Sequence, residues 1–175
     1  MKYTNFQDIP ERMKSYYCID VDFRDLEKTI DRFVDRYNLE LNPDFQRGHV
    51  WTEEQQISYV EYLLTQPDKD RTCTIIFNCP GWMMPSKWRN EMVCVDGLQR
   101  LTACLRFLHN EIPAYGTFYK DYQGYMPGGL KVHIGAFETK KEVLQWYLEL
   151  NAKGTPHTDE EIQRVTQMLE QEISQ

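Results

Sequence analysis

Apolar residues recur at helical spacing in five stretches of the chain and at strand spacing, or in short runs, in several others. Over residues 23–37, Leu26, Ile30, Phe33, Val34 and Tyr37 fall on one stripe, with Asp22 placed to cap it. Thr52 and Gln55 form a capping box that opens a second helix with Ile57, Val60 and Leu64 on its inner face. Residues 97–109 predict a third, turning Leu98, Leu101, Leu105 and Leu108 inward. Thr139 with Glu142 opens a fourth, and Thr158 with Glu161 a fifth that repeats Ile162, Val165 and Leu169. The apolar runs 73–77 and 92–95 predict buried strands, parted by a loop whose Pro80 and Gly81 break any regular element. Residues 38–41 and 131–134 alternate as strands do, and 112–115 read as an edge strand. Strands and helices intermingle without regular β-α-β alternation. The expected class is therefore α+β, a small mixed sheet flanked by about five helices.

Composition narrows the function. The 175 residues, 41% hydrophobic and 27% charged, suit one folded domain, with residues 1–20 as an N-terminal extension. A formal net charge of -7 disfavours DNA binding by general attraction to phosphate, but leaves room for a local basic pocket. No run of apolar residues reaches membrane-spanning length, and the first residues carry no secretory leader. Cys73, Cys94 and Cys104 sit in apolar runs as small hydrophobes, and no cysteines or histidines have zinc-site spacing. A cytoplasmic, reduced protein is expected.

The most informative segment is Val95-Asp96-Gly97-Leu98-Gln99-Arg100, a strand end running into the first turn of a helix. A cation in that turn is disfavoured by the helix dipole by a few tenths to about 1 kcal/mol. Two readings of Arg100 stand: it faces a bound anion such as a phosphate, or it leans back to pair with Asp96. Gly97 allows close approach of a ligand, and Gln99, Arg100 and the free N–H groups can form an anion cradle. Asp96 can hold a divalent cation, act as a base, or simply cap the helix. A second polar cluster, Gln46-Arg47, leaves an irregular loop between Phe45 and Trp51. A third surrounds Asn151, where structure alone also accounts for the residues: Asn151 or Gly154 ends a helix, Pro156 stiffens the turn and Thr158 caps the next helix. Trp146 and Tyr147 fit a packed helix, whereas Trp82 and Trp88 occupy a loop and suit contact with a partner.

In this order the three clusters resemble the ParB/sulfiredoxin-like superfamily, in the branch that includes the N-terminal domain of GmrSD-type restriction enzymes. Gln46, Arg47 and Trp51 match its Gln-Arg-x-x-x-Trp element, and Asp96, Gly97, Gln99 and Arg100 its Asp-Gly-x-Gln-Arg element. Asn151, Gly154, Pro156 and Thr158 match a later Asn-x-x-Gly-x-Pro-x-Ser/Thr element. Leu98 stands where the family usually has a polar residue, and no C-terminal nuclease domain follows within the chain. The likeness spans about residues 20–172. It implies nucleotide binding, with Gln46, Arg47, Gly97, Gln99, Arg100 and Asn151 around the phosphates. It further implies slow NTP hydrolysis that uses Asp96 and Arg100, with magnesium at Asp96, in a phage-defence or DNA-related process. A nuclease or methyltransferase acting in trans is the implied partner. The alternative is a non-enzymatic protein-interaction module of a phage or mobile element. Sulfiredoxin chemistry is excluded, because Leu98 stands where that enzyme's attacking cysteine would be.

Overall fold

The stripe over 23–37 becomes helix α1 (Phe23–Tyr37), which buries Phe23, Leu26, Ile30, Phe33 and Tyr37. It starts where the Asp22 carboxylate accepts the Arg24 amide at 2.9 Å and stops at Asn38, held in the left-handed region (φ 49°). The computed structural model describes residues 17–46, 48, 50–65, 73–82, 91–126, 128–151 and 159–174. Helix α2 (Glu53–Thr65) opens on the expected box: the Gln55 amide donates to Thr52 Oγ1, and the Thr52 amide donates to Gln55 Oε1. Helix α4 (Lys140–Asn151) opens the same way on Thr139 and Glu142. Helices α3 (Leu98–Leu108) and α5 (Asp159–Ile173) complete the set, although Thr158, the expected cap of α5, lies outside the described residues.

Among the described residues four strands form one mixed sheet: β1 (Tyr17–Asp22), β2 (Thr74–Asn78), β3 (Val93–Asp96) and β4 (Gly129–Gly135), in the order β1-β4-β2-β3. The central pair β2 and β4 is parallel, while β1 runs antiparallel to β4 and β3 antiparallel to β2. Every residue of β2 is buried, as a strand covered on both faces requires. One face of the sheet (Ile75, Phe77, Cys94, Leu130, Val132, Ile134) packs with residues of α1 and α3 into the larger core. The opposite face (Ile76, Val95) meets Val143, Leu144, Trp146 and Tyr147 of α4 and Val165 of α5. Helix α2 lies against α3 through Val60, Ala103 and Phe107. The architecture is α+β, as expected.

Three local expectations need correction. No strand is legible before α1, yet β1 pairs along its whole length with β4, from Tyr17 opposite Ile134 to Asp22 opposite Gly129. Residues 38–41 contribute a single parallel bridge, Glu40 to Val93, because α1 ends immediately before them. Residues 112–115 contribute only the Ala114–Thr117 bridge, closed by a two-residue turn with φ of 49° at Tyr115 and 73° at Gly116. Ile112 and Ala114 are drawn into the core beside α3 instead of lying along the sheet.

The end of β1 is tied to a distant loop by one carboxylate. Asp22 accepts from the Arg24 side chain at 3.0 and 3.2 Å and from the Tyr125 hydroxyl at 2.9 Å, while the Arg24 guanidinium stacks 4.6 Å from the Tyr125 ring centre. The Arg24 side chain first, then its backbone amide, holds the Asp22 carboxyl down at about 2. The folded carboxyl thus titrates below an unfolded aspartate, near 3.9. Its stabilising contribution is complete above about pH 4 and is lost as pH falls towards 2. Asp22→Asn, which keeps a capping oxygen but no charge, is expected to be less stable than the parent at pH 5. The gap should narrow steadily as the pH is lowered from 5 to 2.5 in urea unfolding curves.

Candidate functional site

The turn from β3 into α3 is made at Gly97, whose φ of 100° is closed to most residues. A Cβ built there would lie 2.7 Å from Ile75 Cδ1, 3.1 Å from Ile75 Cα and 3.2 Å from the Thr74 carbonyl. The glycine therefore admits the neighbouring strand β2, where the sequence suggested room for a ligand. No side chain caps α3, so the capping role considered for Asp96 is not taken up. Asp96 Oδ2 instead accepts from Arg100 Nη2 at 2.6 Å, one helical turn away. Arg100 has leaned back, with 19% of its side chain exposed. Its Nε is buried and meets no acceptor among the described residues. No acidic residue shares that first turn. The guanidinium is thus half satisfied by Asp96 and otherwise set against the positive end of the helix.

The strand that delivers Asp96 is irregular. Ile76 faces Asp96 and Phe77 faces Cys94, which leaves Val95 as an extra residue in β3. Gln46 meets β3 on its outer edge, away from β2: its Nε2 donates to the carbonyls of Val95 (2.8 Å) and Cys94 (3.1 Å). Gln99 serves the same loop from the other side. Its Oε1 accepts from the amides of Val50 (3.0 Å) and Trp51 (3.1 Å), and its Nε2 donates to the Gly48 carbonyl at 2.6 Å. The two glutamines expected at a ligand are spent on backbone, clipping Gln46, Gly48, Val50 and Trp51 to the junction.

Gln46, Asp96, Gly97, Gln99 and Arg100 are therefore one cluster. Arg47 lies outside the described residues, as do Gly154, Pro156, His157 and Thr158 of the third element and the loop residue Trp88. Asn151 ends α4 as expected, and its Nδ2 donates back to the Tyr147 carbonyl at 2.8 Å. No hydrogen bond joins it to the junction among the described residues. Trp82 is not a free loop aromatic: it packs on the core beside Tyr37, Phe33 and Tyr17.

Among the described residues no three His, Cys, Asp or Glu side chains converge, and Asp96 is already engaged by a cation. Cys94 offers no nucleophile, since burial first and the Asp96 charge next push its thiol well above the ordinary range. Among the described residues no helix is long and apolar enough to cross a membrane.

Sequence reasoning missed Arg164 of α5. Its Nη1 donates to the Asp44 carbonyl at 2.6 Å, and its Nη2 to the carbonyls of Phe45 and Gln46 at 3.1 Å each. Lys140 of α4 adds an ion pair to Asp44 at 2.6 Å. An arginine on a regular helix gives no sign that it will reach three carbonyls 118–120 residues earlier in the chain. Asn78 was missed for a similar reason: its buried side chain exchanges two hydrogen bonds with the backbone of Phe137, 59 residues on.

Replacing Gln99 by leucine leaves two amides and a carbonyl of the 46–51 loop without partners. A loss of about 1–3 kcal/mol of stability is expected in urea unfolding, the range for unmade partly buried hydrogen bonds.

No curated protein and no solved structure matches the chain. One family model does, over residues 30–126, more than half of the chain. That range holds Gln46, Asp96, Gly97, Gln99 and Arg100, the cluster just described, while Asn151 and Arg164 lie beyond it. The chain belongs to the family of the GmrSD restriction endonuclease N-terminal domain.

Proposed function

We propose that this chain is a non-enzymatic protein-interaction module whose contact surface is the segment 114–125. One observation carries the reading. Tyr115 is a bulky residue held at φ 49°, in a turn where glycine or asparagine is usual, yet 58% of its surface remains exposed. Helix α2 maintains it there: Glu61 Oε1 accepts the Tyr115 amide at 2.7 Å, and the Glu61 carbonyl accepts its hydroxyl at 3.1 Å. Backbone strain kept for an exposed aromatic ring serves no purpose in the core, and such strain gathers at functional surfaces. Phe118, Tyr122 and Tyr125 are exposed within the next ten residues, Tyr125 at 63%. Aromatic side chains of this kind anchor protein interfaces. The inward use of Gln46 and Gln99 supports it further, by leaving the shared motif to hold the scaffold.

The test is chemical crosslinking in the native host extract, with the crosslinked positions mapped by mass spectrometry. A stoichiometric partner crosslinked at 114–125 is expected, lost in the double variant Tyr115→Ala, Phe118→Ala and retained in Arg100→Ala. Crosslinks unaffected by the double variant would overturn the assignment of the surface.

A second reading has its own observation. The buried Arg100 Nε, without a partner among the described residues and beside a helix start that no described side chain caps, is what an anion would complete. In this reading the chain is a ParB/sulfiredoxin-like nucleotide binder, with Arg47, Arg100 and Asn151 closing on the phosphates of an NTP. Magnesium would arrive with the nucleotide. Isothermal titration with ATP, GTP and CTP in magnesium decides it: saturable binding lost in Arg100→Ala is the expected result, and no heat with any of the three removes this reading.

A further inference from the structure

The 42–51 loop is held from three directions, and two of them lie within the family range. Gln46 reaches the carbonyls of β3, and Gln99 reaches the amides at 50 and 51. The third comes from outside that range, where one guanidinium on α5 gathers the carbonyls of residues 44, 45 and 46. Three successive carbonyls turned towards one cation form a built cradle, and charge-assisted bonds of this type are stronger than neutral ones. Beneath it the Phe45 ring is buried against Tyr147 at 5.4 Å between centres, in the cluster that contains Val165 of α5. The loop is therefore latched to α5 by Arg164 and seated on α4 through Tyr147, within one apolar cluster that α5 shares through Val165.

We infer that α5 is a releasable strap, with Arg164 as the positioning residue that latches the 42–51 loop against the β3–α3 junction. Helix α5 packs on α4 and on this loop, and its remaining surface is largely polar. When α5 lifts, the loop loses Arg164, and the apolar cluster around Phe45 loses Val165. The loop also carries Gln46, so the carbonyls of Cys94 and Val95 lose their partner as the loop loosens. The device transmits a change at the C-terminal helix to the residues on either side of Asp96, whatever those residues bind. It is a two-state contact, docked or undocked, and both ends bias the same equilibrium. The inference does not rest on the contact surface proposed at 114–125.

Hydrogen exchange on the full chain tests it, residue by residue, with Arg164→Gln and Arg164→Lys. In Arg164→Gln the amides of Gln46, Val50 and Trp51 are expected to exchange roughly 10-fold faster or more, with those of α1 and β2 unchanged. Arg164→Lys should fall between, because one ammonium cannot span three carbonyls. Unchanged loop exchange would overturn the latch, and so would a uniform rise across the chain, which would make Arg164 an ordinary stabilising residue. Should Arg164→Gln fail to fold, Arg164→Lys carries the test alone: a rise confined to those three amides supports the strap, and its absence overturns it.

Discussion

Two side-chain amides hold the seam on which the candidate site depends. At the outer edge of β3 the bulge at Val95 leaves carbonyls that a further strand would normally take up. Glu40 supplies one short bridge there, and the Gln46 amide supplies the rest. Gln99 then fixes the far end of the same loop by accepting two amides and donating to one carbonyl. Each such bond contributes on the order of 1 kcal/mol, but leaving these groups unpaired would cost more than that. The irregular loop is thereby built to the standard of a strand, and the β3 edge is closed to stray pairing.

The same seam explains why Arg100 sits where electrostatics disfavours it. Gly97 brings the turn down onto β2, so the first turn of α3 starts without a side-chain cap and without acidic compensation. Asp96 provides the opposing charge one turn back, at 2.6 Å, and the pair is only partly covered. A partly exposed pair is worth little in stability, which leaves Arg100 cheap to redirect. An arginine held by the Asp96 carboxylate, with Nε unmet among the described residues, is poised and not locked.

Most of the fold was legible because its signals are local. Capping boxes at Thr52 and Thr139 mark helix starts within four residues, and the apolar stripe of α1 needs no tertiary knowledge. Strand β1 was illegible because it is an edge strand with Val21 as its one buried residue, so it carries no alternating pattern. Site membership was legible as a set of residues, since Gln46 and Gln99 do lie at the junction with Asp96 and Arg100. Their orientation was not. An amide that can hold a phosphate can equally hold a carbonyl, and only the bulge at Val95 decides which it meets. Arg164 left no trace at all, because its partners are backbone atoms, and any sequence at 44–46 offers those.

Strand β1 is also the most demanding piece of the topology in time. Its partner β4 lies more than a hundred residues away in the chain, and β4 in turn sits between β1 and β2. During synthesis β1 precedes the other three strands and can be seated only after β4, the last of the four, has followed. Until then its apolar residues and unpaired backbone stay open to other partners. The acids at Asp20 and Asp22 and the single inward valine make β1 a poor template for such pairing. The weak pattern that hides this strand from a reader of the sequence is the same property that protects it while it waits.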